Sequence, residues 1–573
     1  MQYVYSMATL QKQKGKYWYI VESKRVNGKP RPVIIAYLGK AEDILEKLQG
    51  KKPISSKSFE FGTVAVLDHF VQKLGIGSIF NDEVFPAGSN SPKRNGLDFA
   101  QTMATIIIQR AAHPSSKRSF SQWASRTFLP QMYGFESKKI TSQHFWDMMD
   151  LVSLEQLHEI EKKLTKTIIS EFKIKLDLLL YDYTNFFTFI DTNNQRNTIA
   201  QRGKNKQKRD DLRQFSLALL VVKGNRIPLF SDVYEGNKSD SNEFKDSFDR
   251  FSERIKETAN DIEDITIVFD KGSNSKENFT RLEEINYVAS FSIEHDDELK
   301  ELPYSKFYNL ELSGDADIEG SRIVRCFRKK KDIWGKERTV VIYKSNALFE
   351  GQLTGLKEDI KKAKKALEKL QTSGKNGFYL TKGRQQKPWT YELFEKQVEQ
   401  AINKRFLKDV MDFEIRHLKD NRFSLTFEVS RKKYEHVKKT ALGKRVLITS
   451  RHVWSDEEII SAYHGQSDVE RSFRQIKNPF HNSVRPQYHW TDQKIYVHTF
   501  CSVFALTISG LIEMVARKHG FNYSINEIFH RLSDIRKAKY IYSTEGSKKY
   551  DVEYKLEDVE EQENLKLFDC LMR

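Results

Sequence analysis

Three acidic residues stand where a chain of this kind could do chemistry: Asp182, Asp270 and Glu470, 88 and then 200 residues apart. Asp182 closes the apolar run Leu178-Leu-Leu-Tyr-Asp182, and Asp270 closes Ile265-Thr-Ile-Val-Phe-Asp270. Such runs suit the inner strands of an α/β sheet, and open α/β sheets keep their active sites at the C-terminal ends of those strands. One Asp there more often caps a turn; two at matching positions point to a site. Phosphodiester cleavage without a covalent enzyme intermediate uses two divalent ions about 3.5–4 Å apart, one activating the attacking oxygen and one stabilising the leaving oxygen. Three carboxylates are a sufficient minimum to hold the pair, and ligation by oxygen alone favours Mg2+ or Mn2+ over zinc.

Glu470 sits in Tyr463-His-Gly-Gln466-Ser-Asp-Val-Glu470-Arg-Ser-Phe-Arg474-Gln-Ile-Lys477. At about 100° per residue from Tyr463, Gln466 falls near −60°, Glu470 near −20°, Arg474 near +20° and Lys477 near −40°, so all five share one stripe of a single helix. Val469, Phe473, Ile476 and Phe480 give that helix a neighbouring apolar edge, which sets the polar stripe beside the core. Ser455 followed by Glu458 reads as a capping box that starts the helix before Ile459. Lys477 is suited to a phosphate near a cut strand, with Arg474 and Tyr463 as further contacts. The plain alternative is an amphipathic helix with a Glu470–Arg474 pair worth a few tenths of a kcal/mol. Among rival carboxylates, Asp177, Asp191, Asp210 and Asp211 flank the first run, and Asp232 or Asp240 suit supporting roles. Asp468, at about 140°, points away from the stripe.

Lys and Arg outnumber Asp and Glu by 95 to 78, a net charge of +17 spread over 573 residues. A distributed basic excess points towards nucleic acid, because each neutralised phosphate releases a counterion. Cys326, Cys501 and Cys570 are too far apart for a disulfide framework or a Cys-based zinc site, which fits a reducing cytoplasm. His489, His498 and Cys501 lie near one another in sequence and read as core and surface residues. The N-terminus lacks the pattern of a secretory signal. Val497 to Ala516 is apolar but interrupted by His498, Thr499, Thr507, Ser509, Gly510 and Glu513, so it reads as a buried helix and not a membrane span. A cytoplasmic, nucleoid-associated protein without a membrane partner is expected.

The length exceeds one hydrophobic core, and the patterning divides it. Residues 1–55 alternate as a small β module, with Asn27-Gly28 as a hairpin turn. Residues 56–172 take helical spacing over Val64 to Leu74, Leu97 to Ala112 and Leu154 to Phe172; helices carrying Arg110, Lys117, Arg118, Trp123 and Arg126 can bind duplex DNA, though such a region is more often a solvated bundle, and it is the family resemblance described next that implies DNA-end binding here. Residues 173–299 and 446–535 form the α/β catalytic domain. Residues 300–445 read as an α+β insertion: a hairpin turning at Gly335 around the basic run Arg328-Lys-Lys-Lys331, a heptad seam from Leu353 to Leu370 ended by Gly374, a helix from Tyr391 to Phe406, and strands near Phe413 to Ile415 and Phe423 to Val429. Residues 536–573 are left as a C-terminal tail.

The chain resembles bacterial insertion-sequence transposases of the DDE class, in the branch whose final helix reads Tyr-x2-Arg-x3-Glu-x6-Lys. Tyr463, Glu470 and Lys477 match that spacing; Gln466 stands where the family usually has Arg, so a bidentate guanidinium contact is reduced to an amide. The resemblance extends to the strand around Asp182, Ile227-Pro-Leu with Gly236-Asn-Lys-Ser-Asp240, Asp270, Arg485-Pro486 and His489-Trp490, roughly residues 175 to 520. It implies an RNase H-like catalytic domain with Asp182 on its first strand, Asp270 on its fourth and Glu470 on a helix after the insertion. It also implies strand cleavage at terminal inverted repeats, hairpin formation at the ends, joining to target DNA, and a homodimer on paired ends. A nuclease of the same fold that cleaves without joining, and a non-catalytic DNA-binding protein derived from a transposase, are the alternatives.

Overall fold

The computed structural model describes residues 8–573 apart from 27–28, 50–52, 86–88, 90, 192, 206, 239, 259–263, 271–274, 282–284, 314–320, 382–384 and 544–549. Its centre is a nine-stranded sheet. In chain order the strands are β1 Leu178–Thr188, β2 Arg213–Val222, β3 Ile227–Glu235, β4 Thr266–Phe269, β5 Asn286–Phe291, β6 Tyr308–Glu311, β7 Ile323–Ile333, β8 Lys336–Lys344 and β9 Lys444–Thr449. Across the sheet they run β6-β7-β8-β9-β5-β4-β1-β2-β3, parallel only where β4 meets β1 and β5.

Alternation sorts each strand's side chains into two cores. Leu179, Tyr181, Ile267 and Phe269 join one, under the helix Asp240–Thr258 and the N-terminal helices. Leu178, Leu180, Val268 and Val288 join the other, under Ile459, Tyr463, Val469, Phe473 and Ile476. The second layer is the one that carries Glu470. The long helix Asp492–Lys518 is apolar and long enough to cross a membrane, yet 94% of its most apolar window is buried within the protein. It packs on β3 and on the helix Phe99–Ala112. His498 and Cys501 are buried in it, and His498 is tied to the Val484 carbonyl (2.8 Å).

Several sequence-based boundaries move. The stretch expected as one insertion, 300–445, divides, because β6, β7 and β8 extend the central sheet: β8 pairs with β9, which pairs with β5. Arg328 to Lys331 lies inside β7 instead of between two strands, and its cations are engaged by Asp456, Glu298 and Glu337. The excursion proper leaves after β8 and returns at β9, its neck closed by the Ser345 amide donating to the Gly443 carbonyl (2.9 Å). It holds the helices Asn346–Asn376, Tyr391–Ile402 and Arg431–Thr440 and the hairpin Met411–His417 with Phe423–Val429, around a hydrophobic cluster of its own. Gly374 does not end the first of these helices; a Cβ there would meet the Phe394 ring at 2.7 Å, so the glycine serves close packing. Gly377, at φ +83°, is the cap.

The described residues of 536–573, expected as a C-terminal tail, are folded onto the N-terminal helical region. Arg536–Ser543 pairs with both Tyr550–Leu556 and Ser55–Glu60, and the helix Gln562–Leu571 packs on Gly62–Lys73. At the other end Ala8–Gln13, Tyr17–Val26 and Lys29–Gly39 form the small antiparallel sheet; the Asn27-Gly28 turn lies outside the described residues. Arg110 and Lys117 are buried, which removes them from the basic surface expected of the helical region, while Arg118 and Arg126 are exposed. Arg110 donates to the carbonyls of Ser483 (3.0 Å), Arg485 (3.2 Å) and Ser115, and so braces the loop that follows the Glu470 helix.

Candidate active site

The register of β1 on β4 brings the two aspartates together. Leu178 pairs with Thr266 and Leu180 with Val268, an offset of 88 residues, and the same offset separates Asp182 from Asp270. Extended by two residues, the pairing sets the aspartates side by side on neighbouring strands, about 4.8 Å apart along the sheet. They share parity with Leu180 and Val268, so they emerge on the face covered by the Glu470 layer.

That layer is held at both ends. The helix Asp456–His464 starts in the Ser455–Glu458 capping box, with Ser455 Oγ accepting from the Glu458 amide (3.2 Å) and the Ser455 amide donating to Glu458 Oε2 (2.7 Å). Asp456 accepts from Arg328 Nη1 (2.8 Å) and from the Tyr308 hydroxyl, which fixes the start of the helix to β7 and β6. The single helix expected across Tyr463 to Lys477 is broken at Gly465, and Gln466–Ile476 begins there. A Cβ on Gly465 would meet the Ala462 carbonyl at 2.9 Å and Leu180 Cδ2 at 3.2 Å, so the glycine lets the junction lie close on β1.

Asp182, Asp270 and Glu470 line one cavity of about 590 Å3, together with Tyr463, Gln466, Lys477, Thr184, Asn185, Lys204, Asn205, Gln207 and Arg445. Asp270 Oδ1 accepts from Ser290 Oγ (2.6 Å) and from the Tyr463 hydroxyl (3.2 Å). Burial, then the Asp270 charge, raises the Tyr463 phenol above its ordinary range, so Tyr463 stays a donor. Arg445 Nη1 reaches the same hydroxyl at 3.5 Å. Gln466 Nε2 donates to the Tyr181 carbonyl (3.3 Å), and Lys477 donates to Thr184 Oγ1 with its ammonium over the Phe186 ring. Glu470 is exposed, with no hydrogen-bond or ion-pair partner among the described residues. Three carboxylates thus face three cations, Lys204, Arg445 and Lys477, across one opening.

Oxygen donors alone suit a hard divalent cation. Among the described residues no three His, Cys, Asp or Glu side chains are gathered tightly enough to hold one ion, so the carboxylates share the cavity without closing on a point.

Four of the rival carboxylates are engaged elsewhere. Asp468 Oδ2 accepts from the Gly224 amide (2.8 Å), Asp191 Oδ1 from the Asn193 amide (2.8 Å), and Asp211 pairs with Arg209 through two bonds of 2.8 and 2.7 Å. Asp232 accepts from Ser247 Oγ (2.7 Å) and from Arg250. Arg474, placed by helical spacing with Glu470, does not line the cavity; it lines a second one with Arg471. Arg445, and Lys204, Asn205 and Gln207, were missed by periodicity, since the first sits on a strand of uneven pattern and the others outside any helix or strand. The only trace of these last three in the sequence is the charge that begins at Arg202.

Asp182 lies inside β1, which runs on to Thr188, and not at a strand end as the apolar run suggests; sheet and cavity define a mixed α/β protein that presents it and Asp270, just past the end of β4, to a carboxylate-bearing helix, ringed by basic and amide groups. No protein-family model and no curated protein matches the sequence. Among solved structures the chain is similar to the piggyBac transposase in a synaptic complex with hairpin DNA, at 8% identity and a TM-score of 0.37, over 82% of this chain and 79% of that one.

Proposed function

We propose that the chain is a DNA transposase of the DDE class, cleaving strands at the terminal inverted repeats of an insertion sequence and joining them to target DNA by metal-dependent phosphodiester chemistry. One observation carries the reading. Three acids separated by 88 and 200 residues line a single cavity with the tyrosine and lysine of the Tyr-x2-Arg-x3-Glu-x6-Lys pattern. The order of positions supports an RNase H-like domain: Asp182 on the first strand of the sheet, Asp270 after the fourth, and Glu470 on a helix that follows the excursion.

In this reading Asp182, Asp270 and Glu470 hold two Mg2+ or Mn2+ ions, which when bound supply activation of the attacking oxygen and stabilisation of the leaving one. Tyr463 and Ser290 orient Asp270 through its Oδ1. Lys477, Arg445 and Lys204 offset the charge of a phosphate entering the cavity, and Gln466 offers an amide in place of a guanidinium. The protein acts as a homodimer on paired DNA ends.

The test is Mg2+-dependent cutting and joining of a duplex carrying the inverted repeats that bracket the coding region. Glu470→Gln is expected to lower cleavage by a factor on the order of 10² or more while duplex binding persists. Cleavage at the wild-type rate would remove Glu470 from the site, and cleavage without joined products would reduce the enzyme to a nuclease.

A further inference from the structure

The Glu470 helix has a second charged edge that the catalytic cavity does not use. At about 100° per residue from Tyr463, Arg474, Arg471 and Gln475 span roughly +20° to +120°, whereas Gln466, Glu470 and Lys477 lie between −60° and −20°. The first set lines a separate cavity of about 250 Å3, closed by the long helix Asp492–Lys518, the turn carrying Arg226, and Asn526 at the start of the helix Ile525–Ser533.

The carboxylate in this cavity is already taken. Glu513, 7% exposed, accepts from Arg226 Nη2 (2.9 Å) through one oxygen and from the Ile525 amide (2.7 Å) through the other. Arg471 and Arg474 are exposed and have no acidic partner among the described residues. Arg226 and Glu513 cancel, so the cavity keeps two positive charges with only neutral amides, Gln475 and Asn526, beside them. Two guanidiniums and two amides around one opening are donors for phosphate oxygens.

We infer that this cavity binds the phosphodiester backbone of duplex DNA beside the strand in the catalytic cavity. The inference rests on the reading of the chain as a DNA-cutting enzyme. The two cavities lie on two edges of one helix about 10 Å wide, and a strand advances about 3.4 Å per base pair, so a backbone cut at Glu470 carries phosphates past Arg471 and Arg474 roughly three steps away. Acidic peptide and free phosphate are the other occupants of like charge.

The test measures binding of the full chain to a short duplex in metal-free buffer over a range of salt. R471A/R474A is expected to bind at least about fivefold more weakly at low salt and to lower the slope of log K against log salt by about 1 to 2, since each phosphate contact contributes roughly 0.9. R471K/R474K, which keeps the charge, is expected to recover most of the slope. Unchanged affinity and slope in R471A/R474A overturn the inference, and so does a cavity that takes inorganic phosphate or an acidic peptide while duplex affinity is unmoved. If wild type binds no duplex, inference and reading fall together. If wild type binds duplex but cuts none in Mg2+, a lowered slope in R471A/R474A leaves the inference standing without the reading.

Discussion

Gln466 is the point at which this chain departs from the pattern it resembles, and its amide is tied to the Tyr181 carbonyl. A guanidinium there would add a charge to a cavity that already holds Lys204, Arg445 and Lys477. Gln466→Arg is therefore expected to steepen the salt dependence of duplex binding by about 0.9 per phosphate gained. A slope equal to that of wild type would mean that position 466 faces no phosphate.

A second residue-scale consequence concerns Lys117, buried over the Phe145 ring beside Arg110, His489 and His498. Burial, then the Arg110 charge, holds its ammonium down to about 7, and Lys444 is likewise held near 7 by burial. Between about pH 7 and the ordinary lysine range the unfolded chain binds more protons than the folded one, so stability rises with pH through that window. Thermal melts from pH 7 to 9 are expected to show the rise in wild type and a smaller rise in Lys117→Met. An identical rise in both would place the effect on Lys444 alone.

At the scale of elements, two glycines set close approaches that hold the cavity together. A Cβ on Gly236 would meet the Gln214 carbonyl at 1.9 Å, and one on Gly203 would meet the Gly236 carbonyl at 2.2 Å. Gln214 also donates to the Gly236 (2.8 Å) and Lys204 (3.2 Å) carbonyls, so the basic loop around Lys204 is pinned to β2. Gly236→Ala is expected to cost about 1–3 kcal/mol in denaturant unfolding, because backbone and not a movable side chain stands in the way. No change in the midpoint would show that the loop yields.

Local pattern reached some elements and not others. Leu154–Phe172 and Phe423–Val429 follow directly from helical and alternating spacing, since each buries one face against a neighbour. The assignment of β6, β7 and β8 to the central sheet was out of reach, because it depends on β8 pairing with β9, about a hundred residues on. The break at Gly465 was hidden by continuous periodicity on either side of it. Asp270 was legible as a strand end, whereas Asp182 lies inside a strand that its polar continuation to Thr188 concealed, the adjacency of the two needed the 88-residue register, and the burial of Arg110 and Lys117 ran against the usual exposure of charge.

Over the whole molecule, the C-terminal segment closes on the strand and helix that open the N-terminal helical region. Arg536–Ser543 closes a sheet with Ser55–Glu60, Phe568 packs on Phe61, and Leu567 and Leu571 are buried in the main core. Deleting residues 536–573 is expected to lower the thermal midpoint of the entire N-terminal helical layer, where loss of a true tail would leave the melt unmoved. The cavity lined by Asp182, Asp270 and Glu470 lies against the other core, so the deletion separates folding from the proposed chemistry only if the layer survives it.

The proposed chemistry requires that Asp182, Asp270 and Glu470 share divalent cations. Crystals of the full chain with duplex DNA and Mn2+, measured at the manganese absorption edge, address this directly. Anomalous peaks within ligand distance of all three carboxylates, about 2.0–2.3 Å, are expected. Manganese bound elsewhere, with the three side chains turned apart in the presence of DNA, would contradict it.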